Sequence, residues 1–202
     1  LYTFGQGARV MVVAQDEASA KRLLATARRM IEMNEELAER AQIYKDRIYI
    51  PGTDSEMVAV ASELSAVEGA DLTLGVADEI GLMERPVWES LMLSTGKREG
   101  SKLLAMGTPS PADKLDRSPL WDLVVAARAG DPTVSLTEYG ADDDCALDDE
   151  EQWAKANPAL DDWLTREHVR AVMPPKTSES ESRRARLGQW VSQSSESYIP
   201  AK

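Results

Sequence analysis

The sequence predicts an α/β protein: a mostly parallel sheet flanked by helices, followed by a small, mainly helical region. Three observations carry the prediction. Short β-branched apolar runs alternate with segments of helical period as far as Gly130. One of these runs, Leu72-Thr73-Leu74-Gly75-Val76-Ala77, ends abruptly in the adjacent acids Asp78 and Glu79. Past Gly130 the chain turns to acidic clusters and short helical segments punctuated by proline.

Taken in order, Arg9-Val10-Met11-Val12-Val13-Ala14 reads as a buried strand. Asp16 is placed to cap the helix after it, in which Ala20, Leu23, Leu24, Ala27, Met30, Ile31, Leu37 and Ala38 recur at helical spacing and are expected in the core. Arg47-Ile48-Tyr49-Ile50 and Met57-Val58-Ala59-Val60-Ala61 flank the turn signal Pro51-Gly52 and predict a hairpin. After the acid-tipped run, Pro86 opens a helix through Trp88, Leu91 and Met92. Lys102-Leu103-Leu104-Ala105-Met106 gives the next strand, ending in Gly107-Thr108-Pro109-Ser110-Pro111. Ser118 and Pro119 start a helix that Gly130 stops. Val134-Ser135-Leu136-Thr137 is expected to form one last strand. Helices then follow: Gln152 to Asn157, a short one capped by Thr165, and Ser178 through Val191 with Ala185, Leu187 and Trp190 as buried candidates. The polar stretch from Ser194 to Lys202 reads as a linker, and Leu1 is not a start methionine, so an internal piece of a longer protein is expected.

Composition is that of a globular protein: 43% hydrophobic and 29% charged over 202 residues, with no apolar run near the ~20 residues that span a membrane. The single cysteine, Cys145, excludes an intrachain disulfide and fits a reducing compartment such as cytoplasm. A formal charge of -12 argues against a protein that coats nucleic acid with its whole surface, though not against contact through a loop or small basic patch.

A buried strand carrying Asp78 and Glu79 brings both carboxylates to the carboxyl edge of a sheet, where open α/β folds place ligands. One acid can hold Mg²⁺ while the other orients an attacking water, as phosphoryl transfer from ATP requires; this is the Walker B arrangement. A strand followed by a solvated loop accounts for the same letters. The polar tip at Thr108 and Ser110 stands on the expected neighbouring strand, where it can touch the γ-phosphate and sense it. Gly-Thr-Pro-Ser is equally an ordinary turn composition. One helix and two short loops separate the two strands, the length needed to return to an adjacent parallel position. Elsewhere the bland readings prevail. His168, the sole histidine, sits in a short surface-like helix; Arg183, Arg184 and Arg186 form either a solvated helix face or a small DNA-facing patch; Trp88, Trp121, Trp153, Trp163 and Trp190 read as core packing. The acids at 142–144 and 148–151 lack the glycine and closing glutamate of a calcium loop.

Three segments together resemble the large terminase subunit of tailed bacteriophages: Ala61-Ser62-Glu63-Leu64-Ser65-Ala66-Val67-Glu68-Gly69-Ala70 leading to Asp78-Glu79, then Leu104-Ala105-Met106-Gly107-Thr108-Pro109-Ser110, then Trp153-Ala154-Lys155-Ala156-Asn157-Pro158-Ala159-Leu160. The resemblance implies an ATPase that drives double-stranded DNA into a prohead. It implies Asp78 as the Mg²⁺ ligand, Glu79 as the catalytic carboxylate, and Thr108 and Ser110 as nucleotide contacts in the segment coupling hydrolysis to movement. Residues 1–130 would be part of the ATPase domain, and 131–202 a linker or lid leading to a nuclease domain. ATP and Mg²⁺ would be cofactors; a portal protein, a small terminase subunit and further copies of the chain would be partners. The setting would be the cytoplasm of an infected bacterium, without a membrane and outside the structural virion.

One departure qualifies this. No Gly-x-x-x-x-Gly-Lys-Ser/Thr stretch occurs, so the fold expected is like that of the P-loop NTPases but without the phosphate loop, which in the family precedes the strand matching Arg9 to Ala14. These residues alone are therefore expected not to hydrolyse ATP. Two other classes fit the same acid-tipped strand, another nucleic-acid ATPase such as a helicase and a non-catalytic α/β interaction domain.

Overall fold

In the computed structural model, residues 1–192 are described; the linker expected from Ser194 onward lies outside them. The strands are β1 (Arg9–Ala14), β2 (Gln42–Ile43), β3 (Arg47–Ile50), β4 (Ser55–Ala61), β5 (Leu74–Ala77) and β6 (Lys102–Ala105). The helices are α1 (Glu17–Glu32), α2 (Glu35–Arg40), α3 (Leu64–Val67), α4 (Arg85–Ser94), α5 (Pro119–Arg128), α6 (Glu150–Ala156), α7 (Arg166–Val172) and α8 (Glu179–Leu187). Leu1–Gly107 make one compact unit, and the chain from Thr108 makes a second.

The first unit is built on a mixed six-stranded sheet in the order β2-β3-β4-β1-β5-β6. β4, β1, β5 and β6 run parallel, while β3 pairs antiparallel with β4 across the Pro51-Gly52 turn, as the hairpin signal predicts. Helices flank this sheet. The central strands carry near-continuous apolar sequence because both faces are covered: Val10, Val12, Val13 and Ala14 of β1 are all buried. α1 sets Leu24 and Ile31 against Ile48 of β3, with Met57 and Ala59 of β4 beside them. α4 opens on Pro86 and buries Val87, Trp88 and Leu91.

Two details of the helix after β1 differ from the sequence reading. It ends at Glu32, because the Asn34 side chain accepts a hydrogen bond from the Leu37 backbone N–H at 3.1 Å and so caps a separate helix, α2. Met30, expected in the core, is 67% exposed, since the stripe facing the sheet runs through Ala20, Leu24 and Ile31.

The second unit is helical. Trp153 of α6, Val169 and Met173 of α7 and its end, and Leu187 of α8 form its core, with Leu147, Leu160 and Leu164 packed around them. The strand expected at Val134–Thr137 does not form. That segment belongs to the second unit, which has no sheet among the described residues, and its backbone enters a turn in which the Val134 N–H donates to the Asp131 carbonyl at 3.3 Å. α8 stops at Leu187, four residues short of the expected end, where Gly188 takes a left-handed φ of 62°. Ala185 is exposed and Trp190 half-buried, its ring 4.7 Å from that of Trp121. Trp163 is 77% exposed, so it is not a core residue. Among the described residues no helix is long and apolar enough to cross a membrane.

Candidate functional site

Register brings the acid pair to the edge. Ala77 at the end of β5 lies opposite Val13 of β1 on one side and Ala105 of β6 on the other, so the parallel strands finish nearly level. Asp78 continues β5 for one more residue, its N–H donating to the Val13 carbonyl at 2.9 Å. The chain then turns sharply. Glu79 adopts φ 54° and ψ 43°, a left-handed conformation that costs a non-glycine residue about 1–3 kcal/mol and is held only where its surroundings demand it.

Those surroundings are specific. The Ile80 N–H donates to the Met106 carbonyl at 3.0 Å, tying the turn to the end of β6. A tight 3-10 turn over Ile80–Leu82 follows, closed by the Leu82 N–H on the Glu79 carbonyl at 2.9 Å, with Ile80 fully buried as its anchor. Gly107 completes the seat. A Cβ built there would stand 3.1 Å from the Ile80 nitrogen, 3.3 Å from the Glu79 Cα and 3.3 Å from the Gly81 nitrogen. A side chain at 107 would thus press on the backbone that holds the acid. The sequence reading names Asp78 and Glu79 but misses both the left-handed turn and the part played by Gly107.

Both acids are half-buried, and among the described residues neither carboxylate has a hydrogen bond or an ion-pair partner. No group of three or more His, Cys, Asp or Glu that could hold a metal by itself occurs among the described residues. Mg²⁺ on a nucleotide does not need one, because it is bound through one or two carboxylates while waters and phosphate oxygens fill the other positions. A lone accessible Asp78 with a second carboxylate next to it fits that donor set.

In the second unit, Thr108 and Ser110 lie apart in character. The Thr108 hydroxyl oxygen accepts a hydrogen bond from Arg184 Nη1 at 3.0 Å, and the same nitrogen donates to the Pro109 carbonyl at 2.8 Å. Ser110 is 1% exposed and its Oγ lies 2.5 Å from that of Ser118, the residue that caps α5 by accepting from the Trp121 N–H. Two of the three arginines clustered on α8, Arg183 and Arg184, are engaged within the second unit. Arg183 is engaged by Glu179, the Cys145 carbonyl and Gln189, and Arg184 by Glu181 as well as the Thr108-Pro109 segment. His168 is exposed, with Nδ1 2.8 Å from the Thr165 hydroxyl at the start of α7. Cys145 is half-buried against the helical core and accepts from Gln189 through Sγ.

The Trp-x-x-Ala-Asn-Pro stretch acquires a structural meaning. Trp153 is 2% exposed and its indole N–H donates to the Leu147 carbonyl at 2.7 Å. One turn on, Asn157 ends α6 and its amide donates to the carbonyls of Trp153 and Arg186, both at 2.9 Å, joining α6 to the end of α8.

No family model matches the sequence, and no curated protein matches it. Solved structures do. The chain is similar to the large terminase of bacteriophage HK97, with a TM-score of 0.78 and 22% identity over 93% of this chain and 40% of that one. It is similar to the large terminase of a thermophilic bacteriophage in two crystal forms, each with a TM-score of 0.60, at 15% identity over 94% of this chain and 42% of that one, and at 13% over 94% and 41%. The fold is therefore that of the bacteriophage large terminases, and the chain spans about two fifths of their length.

Proposed function

We propose that this chain is the part of a DNA-packaging terminase that carries the hydrolytic carboxylates of its ATPase, working within a longer protein. The observation that carries the reading is the strained Glu79 turn beyond β5, directly after Asp78, seated on Gly107 at the carboxyl edge of a terminase-like sheet. Costly backbone is retained where it places a functional group.

In this reading Asp78 holds Mg²⁺, which when bound neutralises charge on the β- and γ-phosphates of ATP. Glu79 accepts a hydrogen bond from the attacking water and aligns its oxygen with the γ-phosphorus, opposite the departing ADP oxygen. Thr108 donates its hydroxyl hydrogen to a γ-phosphate oxygen and loses that partner when phosphate leaves. The reading of Ser110 as a nucleotide contact is narrowed by its burial: it supports the segment through Ser118. The phosphate-cradling loop is contributed by a strand added at β6, the last strand in the sheet order, whose Leu104 is 49% exposed and whose following Met106 is 44% exposed. The part from Asp131 onward serves as linker or lid to a nuclease domain; double-stranded DNA, a portal protein, a small terminase subunit and further copies of the chain are the partners.

The test uses full-length protein, portal-bearing proheads and linear duplex DNA. ATP-dependent protection of the duplex from added nuclease, lost on Glu79→Gln, is the expected result. ATP-dependent separation of the duplex into single strands, without protection, would instead assign the chain to the helicases.

A further inference from the structure

We infer that Arg184 is a positioning residue for the phosphate-sensing segment: it fixes Thr108 with its hydroxyl oxygen accepting, so that the hydroxyl hydrogen is left to donate to an anionic oxygen. The inference rests on the proposed reading of Thr108 as the γ-phosphate contact.

The geometry is unusual for an arginine on a short, strongly charged helix. The Arg184 side chain is only 14% exposed. Its Nε and Nη2 donate to the two carboxylate oxygens of Glu181, at 2.9 and 2.5 Å, three residues earlier on α8. That bidentate pairing sets the plane of the guanidinium. Nη1 is then aimed at the Thr108 hydroxyl oxygen and the Pro109 carbonyl. An arginine stays protonated and has no acceptor, so the direction of the hydrogen bond to Thr108 is fixed: the hydroxyl oxygen accepts.

Two consequences follow from hydroxyl chemistry. With one lone pair committed to a cation, the O–H remains to donate, and its hydrogen is more positive than in an unassisted threonine. A phosphoryl oxygen is the partner such a donor suits best. Holding the Pro109 carbonyl at the same time immobilises the peptide after Thr108, so the side chain is not free to swing away when a phosphate is bound or lost.

The test is a set of variants in the full-length protein, read as ATPase kcat, KM for ATP and melting temperature. Thr108→Val removes the donor and should lower kcat about 10²-fold. Arg184→Lys keeps the charge but cannot form the fork, and should lower kcat about tenfold with KM nearly unchanged. The double variant should be no slower than Thr108→Val alone, because the hydroxyl that Arg184 positions is already gone, though its bond to the Pro109 carbonyl remains. Thr108→Ser should keep most activity and stay sensitive to Arg184→Lys. Should Arg184→Lys lower the melting temperature, Glu181→Gln releases the guanidinium without touching the segment, and should give a smaller kcat loss that vanishes in the Thr108→Val background. Multiplying losses in the double variant, or full kcat in Arg184→Lys, would overturn the inference while leaving Thr108 as the contact. Full kcat in Thr108→Val would overturn the underlying reading of Thr108, and this inference with it.

Discussion

Gly107 and Glu79 are matched to each other across the ends of β6 and β5: the left-handed Glu79 turn lies where a Cβ on residue 107 would come within 3.3 Å of the Glu79 Cα. The φ of Gly107 is not left-handed, so the obstacle to alanine is crowding of the neighbouring backbone and not the conformation of residue 107.

Gly107→Ala should therefore displace the Glu79–Gly81 backbone by a few tenths of an ångström and cost about 1–3 kcal/mol of stability as local overpacking. In the full-length protein it should reduce ATPase kcat far more than nucleotide affinity, by up to about 10²-fold, because the carboxylate proposed as catalytic would be misplaced and not removed. Urea denaturation and a kcat and KM comparison check both parts. Unchanged turnover would mean that the position of this turn does not matter to the chemistry.

Much of this arrangement is legible in the sequence. The β5-helix-β6 spacing predicts adjacent parallel strands, and the apolar run ending in Asp78-Glu79 places the acids at a sheet edge; both are found. What is not legible depends on contacts distant in sequence. A left-handed glutamate has no letter code, and Gly107 reads as turn composition until its neighbour is known. Met30 and Trp163 are expected inside because helical period and residue type do not say how wide the covering surface is. The α1–α2 break is written in Asn34, a cap residue easily overlooked inside a long periodic run. Val134–Thr137 has strand-like letters but no sheet edge among the described residues of its own unit.

The Trp153-to-Pro158 stretch is expected to act on stability. Trp153→Ala opens a cavity in the core shared with Val169, Met173 and Leu187, and should cost about 3–5 kcal/mol. Asn157→Ala leaves the Arg186 carbonyl without its amide donor, while the Trp153 carbonyl keeps the backbone N–H of residue 157, and should cost about 1–3 kcal/mol. Because both act on the joint of α6 with α8, the double variant should lose less than the sum, measured by circular dichroism in urea. Equal losses in a variant of exposed Trp163 would contradict this assignment.

Acid should loosen the Arg184 anchor. The hydrogen bond from Arg184 holds the Glu181 carboxyl below the usual glutamate range, with partial burial opposing it. A depressed folded-state value means that the pair's stabilisation is fully present above the unfolded value, about 4.3, and is lost as pH falls through the folded one. Stability measured against pH should therefore fall below about pH 4 by a component that Glu181→Gln abolishes. Parallel curves for the two proteins between neutral and acid pH would show that the pairing does not contribute.

The most direct test of the whole account is single-turnover ATP hydrolysis by the full-length protein with Mg²⁺, comparing native Glu79 with Glu79→Gln and with Asp78→Asn. Glu79→Gln should bind ATP and Mg²⁺ normally yet hydrolyse at least about 10²-fold more slowly, and Asp78→Asn should instead raise the Mg²⁺ concentration required. Native hydrolysis rates in Glu79→Gln, at unchanged nucleotide binding, would contradict the assignment of the β5 tip as the catalytic centre.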